Sequence, residues 1–238
     1  MGRWQDIAVK KGKTDAARAK VFTRIGREIV VAIKTGGGNN PETNSKLREV
    51  IAKAKANNVP NDNINRAIKK ADEDASASYD EVVYEGYGPG GTAVIVEATT
   101  NNKNRTAAEI RHSFEKNGGN LGAMGSVSFM FERNGVISAE KPASFDEDEF
   151  TLLALDNGAE DVVVGDAEIQ ILTSVQDFHK CSQGLTAGGY NLTLAELQYI
   201  PTIDGGITDE QQKIKFDKMI EMLENNDDVM NVWHNLVE

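Results

Sequence analysis

Apolar residues recur at helical spacing in the first third of the chain and at strand spacing through much of the rest. Projected at 100° per residue, Val21, Phe22, Ile25, Ile29, Ala32 and Ile33 share one side of a helix over 15–35. Lys20, Arg24, Arg27 and Lys34 share the opposite side, which predicts a stripe facing solvent. Gly36-Gly37-Gly38 stops this helix, because glycine takes the left-handed backbone without a Cβ clash. A second helix over 43–58 turns Leu47, Val50, Ile51 and Ala54 inward and ends at Pro60. A third, over 61–71, turns Ile64, Ala67, Ile68 and Ala71 inward and Arg66, Lys69 and Lys70 outward. Three short helices with one apolar stripe each must bury those stripes together. The small polar run from Asp72 to Ser78 reads as a linker.

Beyond the linker the pattern is α+β. Val82–Tyr87 and Thr92–Thr100 read as strands around the turn Gly88-Pro89-Gly90-Gly91. A helix to about Asn117 follows, with a capping box at Thr106–Glu109 or a cap at Asn104, and then a strand over Ser126–Glu132. Residues 135–200 give strand, helix, strand, strand, helix, strand, with helices near 146–157 and 175–186. That βαββαβ order is the ferredoxin-like pattern. A final helix capped by Thr208–Gln211 buries Phe216, Met219, Ile220 and Leu223, and a last strand runs over Val229–Val237. Residues 80–132 lack a second helix and strand, and 207–238 supply that pair. The expected fold is therefore α+β in three domains. These are an N-terminal three-helix domain (1–76) and a middle ferredoxin-like α/β domain (80–132 with 207–238). A third ferredoxin-like α/β domain (133–206) is inserted in the second. One continuous mixed sheet is the alternative.

Composition changes the picture through charge. The 238 residues carry a formal net charge of −11, but it is segregated. Residues 1–71 hold 16 Lys/Arg and 6 Asp/Glu, a net of +10; residues 72–238 hold 10 and 31, a net of −21. A basic segment of this kind points to a polyanion partner, docked at one end by repulsion from the acidic remainder. Two solvated surfaces of opposite sign are the alternative. A single cysteine, Cys181, excludes an internal disulfide and a cysteine zinc cluster. No apolar run approaches 18 residues and Met1–Asp6 has no signal core, so a cytoplasmic location is expected.

Several longer motifs carry a family resemblance. They are Tyr84-Glu85-Gly86-Tyr87-Gly88-Pro89-Gly90-Gly91, Asn104-Arg105-Thr106, Gly118-Gly119-Asn120-Leu121-Gly122, and Gly125-Ser126-Val127-Ser128 with Phe131-Glu132-Arg133. Val59–Ile64, Arg66–Lys70, Ala195–Leu197, Ile200-Pro201 and Val232–Asn235 add to them. In this order, over essentially the whole chain, they resemble the YebC/PmpR family. The start, Gly2-Arg3-Trp4 where the family usually has Gly-His-Ser-Lys-Trp, looks like the branch related to YeeN. The resemblance implies three domains and a probable transcriptional regulator that binds DNA. It also implies an alternative, since mitochondrial relatives are translational activators and bacterial members are linked to stalled ribosomes.

The residues themselves support nucleic-acid binding best. Each Lys or Arg set against a phosphate releases condensed counterions. The candidates are Lys10, Lys11, Lys13, Lys20, Arg24, Arg27 and Lys34, with Arg66, Lys69 and Lys70 as a second cluster. Trp4 is placed to stack on a base or to pack on the helices. No zinc finger, RNP motif or KH loop specifies a base code. The uncharged, mobile loop Gly118, Gly119, Asn120, Leu121, Gly122, Met124, Gly125, Ser126 is a candidate functional loop for a narrow site such as a ribosomal cavity, or a helix stop and connection. Gly86–Gly91 reads as a turn, lacking the Lys-Ser/Thr of a phosphate-binding loop. His112, His179 and His234 have no metal-ligand spacing, and Cys181 lies on a core stripe with Val175, Phe178 and Leu185. No catalytic residue, metal or cofactor is expected. The expected partner is DNA or ribosomal RNA, with the ribosome as a candidate and no membrane; an adaptor docking an acidic protein is the reading of another class. Oligomeric state is not legible.

Overall fold

The structure, a computed structural model, describes residues 15–56, 58–73 and 79–237, with the backbone alone for 15–20 and 56. Lys10, Lys11, Lys13 and Trp4 lie outside the described residues, as does most of the expected linker. The chain forms two compact units. One gathers segments 52–60 and 133–199, and the other 15–51, 61–132 and 200–237.

The described residues begin with three helices: α1 (Asp15–Gly36), α2 (Ser45–Ala56) and α3 (Asn61–Glu73). Ile25, Ile29, Ala32 and Ile33 of α1 are buried, as their spacing requires, and α1 packs on α3. Gly37 and Gly38 adopt φ of +98° and +111°, and the Gly38 N–H closes on the Ile33 carbonyl at 3.0 Å. Asn44, fully buried, then starts α2. Its Oδ1 accepts from the Leu47 N–H at 3.0 Å while its Nδ2 donates to the carbonyls of Ala32 and Gly38. Helix α3 continues through Asp72 and Glu73, which the sequence assigned to a linker.

The first sheet is formed by β1 (Asp80–Tyr87), β2 (Ala93–Thr100), the two-residue β3 (Asn120–Leu121) and β8 (Val229–His234), in the order β3-β1-β2-β8. β2 is central and almost continuously buried, so it reads as an apolar run. It pairs antiparallel with β1 (Val83↔Glu97, Tyr87↔Ala93) and with β8 (Val94↔His234, Ile95↔Trp233). Helices α4 (Lys103–Lys116) and α7 (Glu210–Asn225) supply Ile110, Phe114, Phe216, Met219 and Leu223 to its core, against Val94, Val96 and Val229. Each such fully buried side chain contributes roughly 1.5–3 kcal/mol.

The second sheet comprises β4 (Phe131–Glu140), β5 (Ala159–Val164), β6 (Glu168–Thr173) and β7 (Leu192–Pro201), in the order β5-β6-β4-β7. With α5 (Glu147–Asp156) and α6 (Phe178–Ala187) this is the ferredoxin-like order. Ile137, Ile169 and Ile171 pack against Phe150, Ala154, Cys181 and Leu185. The fold is thus α+β with two separate four-stranded sheets, not one continuous sheet. The first sheet reaches the same four-strand, two-helix layout in another chain order, and its last strand arrives only after the second sheet is complete.

Three local expectations are corrected. No strand covers 126–132. Residues Ser128–Met130 form a short 3₁₀ turn, and β4 begins at Phe131. The cap of α4 is Asn102, whose side chain accepts from the Arg105 N–H, not Asn104 or Thr106. Val175, expected on the core stripe, is exposed because α6 begins only at Phe178.

Candidate nucleic-acid interface

Of the candidate cations, Lys34, Arg66, Lys69 and Lys70 are exposed. Arg66, Lys69 and Lys70 lie on the side of α3 opposite the buried Ile64 and Ala71. Lys69 meets Glu73 at 3.7 Å, but both are well exposed, and such a pair is worth about 0–1 kcal/mol. Lys46 and Arg48, also exposed, extend the set from α2. Lys46 Nζ donates to Thr35 Oγ1 at 3.2 Å, which brings it beside the end of α1 that carries Lys34. These two were missed because only the inward face of α2 was read from the spacing. Lys20 is described by its backbone alone.

Arg24 and Arg27 do not belong to a solvent-facing stripe. Arg24 Nη2 donates to the Glu224 carbonyl at 2.9 Å. Arg27 Nη1 donates to the Asp227 carbonyl at 2.6 Å and to Asp228 Oδ1 at 2.8 Å, and its guanidinium lies over the Tyr79 ring at 5.6 Å. Helical spacing separates apolar from polar positions. It does not tell water from a polar partner, and here the partners are the last turn of α7, for Arg24, and the turn between α7 and β8, for Arg27.

Asp228 is the centre of that joint. Its side chain is only 5% exposed. Oδ1 takes Arg27, while Oδ2 accepts from Arg105 Nη2 at 2.6 Å, Thr106 Oγ1 at 2.6 Å and Thr100 Oγ1 at 3.1 Å. Burial alone would raise this carboxylate's pKa, but the bonds from Thr106, Arg105 and Thr100 outweigh it and hold the pKa below its ordinary value. Three distant stretches of the chain meet on one charge: α1, the β2–α4 connection from Thr100 to Thr106, and the turn before β8.

A second buried carboxylate builds the candidate functional loop. Glu85 Oε1 accepts from the Gly125 N–H at 2.8 Å, and Oε2 from the Val127 and Ser128 N–H groups at 2.9 Å each. Tyr87 Oη donates to the Ser126 carbonyl at 2.8 Å. Gly125 holds φ of +85°, a conformation that a side chain would strain. Burial raises the Glu85 pKa, but the three amides prevail and lower it overall. The amides of 127 and 128 are therefore spent on Glu85, which is why no strand forms there. Asn120 and Leu121 pair with Tyr87 and Gly86 instead. Four hydrogen bonds with Glu85 and Tyr87 stake the loop at 125–128, and the segment presents two large apolar side chains to solvent: Met124, 86% exposed, and Phe129, 65% exposed.

Other chemistry is weakly supplied. A cavity of about 330 Å³ beside α7 is lined by Phe216, Ile220 and Leu236 and by more carboxylates (Asp217, Glu221, Glu224) than cations (Lys213), which disfavours an anionic ligand. Among the described residues no group of three or more His, Cys, Asp or Glu is arranged to hold a metal ion. Cys181 is buried, and burial, with Asp177, pushes its thiol up to about 11, leaving it protonated at neutral pH. His112 is exposed on α4, His179 lies 3.0 Å from Gln183, and His234 packs edge-on against Phe216. No helix among the described residues is long and apolar enough to cross a membrane.

The motifs at these two joints, Tyr84–Tyr87 with Gly125–Ser128 and Asn104–Thr106, lie within a match to the TACO1/YebC second and third domain over residues 79–236. Residues 2–74 match the TACO1/YebC protein N-terminal domain. The chain belongs to the TACO1/YebC family. Among its relatives, a probable transcriptional regulatory protein of Acetivibrio thermocellus is 53% identical, over 98% of this chain and 96% of its own length. Another of that name, from Thermoanaerobacter pseudethanolicus, is 49% identical over 98% and 95%. The crystal structure of a conserved hypothetical protein from Aquifex aeolicus superposes with a TM-score of 0.83 at 42% identity, covering 99% of this chain and 97% of that one. In this TACO1/YebC chain, the fold read from the sheets and the family read from the motifs agree.

Proposed function

We propose that this chain is a nucleic-acid-associated regulator of gene expression, a YebC-type transcriptional regulator that binds DNA in the cytoplasm without catalysing a reaction. The observation that carries the reading is membership of a family whose relatives, about half identical over nearly the whole chain, bear the name probable transcriptional regulatory protein. The physical support is the exposed cation set Lys34, Arg66, Lys69 and Lys70, joined by Lys46 and Arg48. In this reading 1–76 is the contact domain and 80–132 with 207–238 is the middle domain, carrying the Met124/Phe129 prong. Residues 133–206 are the inserted domain. Backbone contact through Lys and Arg positions the protein on phosphates and carries no base code. Sequence preference would then come from the shape of the nucleic acid or from the loop. Net charge of −21 over 72–238 disfavours contact outside the basic helices.

The test is fluorescence anisotropy of labelled duplex DNA, with ribosomal RNA fragments in parallel, across a salt series. Wild type should bind DNA with a log–log salt slope of about −0.9 per phosphate engaged. The variant R66E/K69E/K70E should lose most of that slope while keeping the same thermal midpoint. Equal binding by the variant removes α3 from the interface. Preference for ribosomal RNA moves the reading to a ribosome-associated translation factor, and no binding to either favours an adaptor.

A further inference from the structure

Helix α5 presents an apolar face that its own domain leaves uncovered. Phe150 and Ala154 are fully buried in the core of the second sheet. On the opposite side Leu152 and Leu155 are 63% and 50% exposed. Three residues apart on a helix, they are neighbours and form one stripe. Asp148 and Asp156, four residues to either side of Leu152, share that face, and both are exposed. The favourable interaction of carboxylates with a helix N-terminus accounts for Glu147, Asp148 and Glu149. It does not account for the leucines.

The surroundings specify a sign. Residues 133–206 hold 13 Asp/Glu and 3 Lys/Arg, which disfavours any nucleic acid on this face. All three cations are engaged locally, Arg133 over the Tyr199 ring at 5.5 Å. Lys180 Nζ donates to the Asp156 carbonyl at 2.9 Å, and Lys141 lies over the Phe145 ring at 5.2 Å.

We propose that the Leu152–Leu155 face of α5 is a docking surface for a basic amphipathic helix of a protein partner. A two-leucine stripe along a helix matches the narrow apolar seam of a second helix, and the carboxylates at its edges select Lys and Arg flanks. The chain would then hold two partners of opposite charge: nucleic acid on its basic helices and a cationic protein segment on its acidic inserted region.

The probe is a fluorescein-labelled 18-residue Leu/Lys amphipathic helix, titrated with the full chain. A scrambled peptide of the same composition serves as the control. The surface predicts that the amphipathic peptide binds at least tenfold tighter than the scrambled one. L152S/L155S should weaken it tenfold or more with every charge kept, and D148N/D156N should weaken it and flatten its salt dependence. Because all four side chains face solvent, circular dichroism should stay at the wild-type spectrum in both variants, with only a small drop in thermal midpoint for D148N/D156N from the lost carboxylate at the helix N-terminus. Equal binding of the two peptides, or an unchanged affinity in L152S/L155S, overturns the proposal in favour of unspecific charge attraction. So does a wild-type dimer in sedimentation that L152S/L155S converts to monomer, since the occupant is then a second copy.

Discussion

Arg27 and Asp228, 201 residues apart in sequence, meet at 2.8 Å and fasten the first helix to the turn before the last strand. The pair is not isolated: the same carboxylate holds Arg105, Thr106 and Thr100. Removing one partner of a buried pair leaves the other unpaired, which costs about 3–5 kcal/mol. Asp228→Ala should therefore be strongly destabilising in denaturant titrations. Arg105→Ala should cost much less, because its side chain is half exposed and solvent screens it.

Arg27→Glu should fail in a different way from reversal on α3. It sets two like charges together at Asp228, so loss of nucleic-acid binding should come with loss of fold. R66E/K69E/K70E should lose binding with fold retained. Circular dichroism on both variants, beside their binding isotherms, separates the joint from the interface. Single Ala substitutions at Arg66 or Lys70 should each reduce the salt slope by about 0.9 for every phosphate no longer engaged.

Acid stability should report both buried carboxylates. Asp228 and Glu85 have pKa values below their ordinary range in the folded chain. Their stabilisation is fully present above the unfolded carboxylate pKa and is lost as pH falls through the lowered folded values. Urea midpoints measured from pH 7 to pH 3 should decline across and below the usual carboxylate range. In Asp228→Asn the decline should be shallower, from a lower starting stability. An unchanged pH profile in that variant would contradict the assignment.

Glu85→Gln tests the staking of the loop. An amide offers one acceptor where the carboxylate uses two against three N–H groups, and it loses the charge. Hydrogen exchange at Gly125, Val127 and Ser128 should accelerate at least tenfold, with α4 and β2 unchanged. If Met124 and Phe129 act as a prong, this variant should also weaken any contact they make without altering the α3 cations.

Much of the fold was legible because it is locally determined. The glycine stop of α1, the inner face of α7 at Phe216, Met219 and Leu223, and the βαββαβ order of the second sheet follow from spacing and turn residues within each element. The site was legible only in part. Arg66, Lys69 and Lys70 were read correctly as exposed, since their helix has a polar face with water beyond it. Arg24 and Arg27 were misread because their polar partners lie two hundred residues away. The alternation from Ser126 to Phe131 resembles a strand, but Glu85 captures its amides from forty residues upstream. The role of Asp228 was not legible in its own segment, because its partners come from three other elements.

Ultraviolet crosslinking in cells, with sequencing of both DNA and RNA recovered on the protein, tests the central claim most directly. A regulator of transcription predicts enrichment at promoter DNA that falls sharply in R66E/K69E/K70E. Reads concentrated in ribosomal RNA, or DNA recovery unchanged in that variant, would contradict the account.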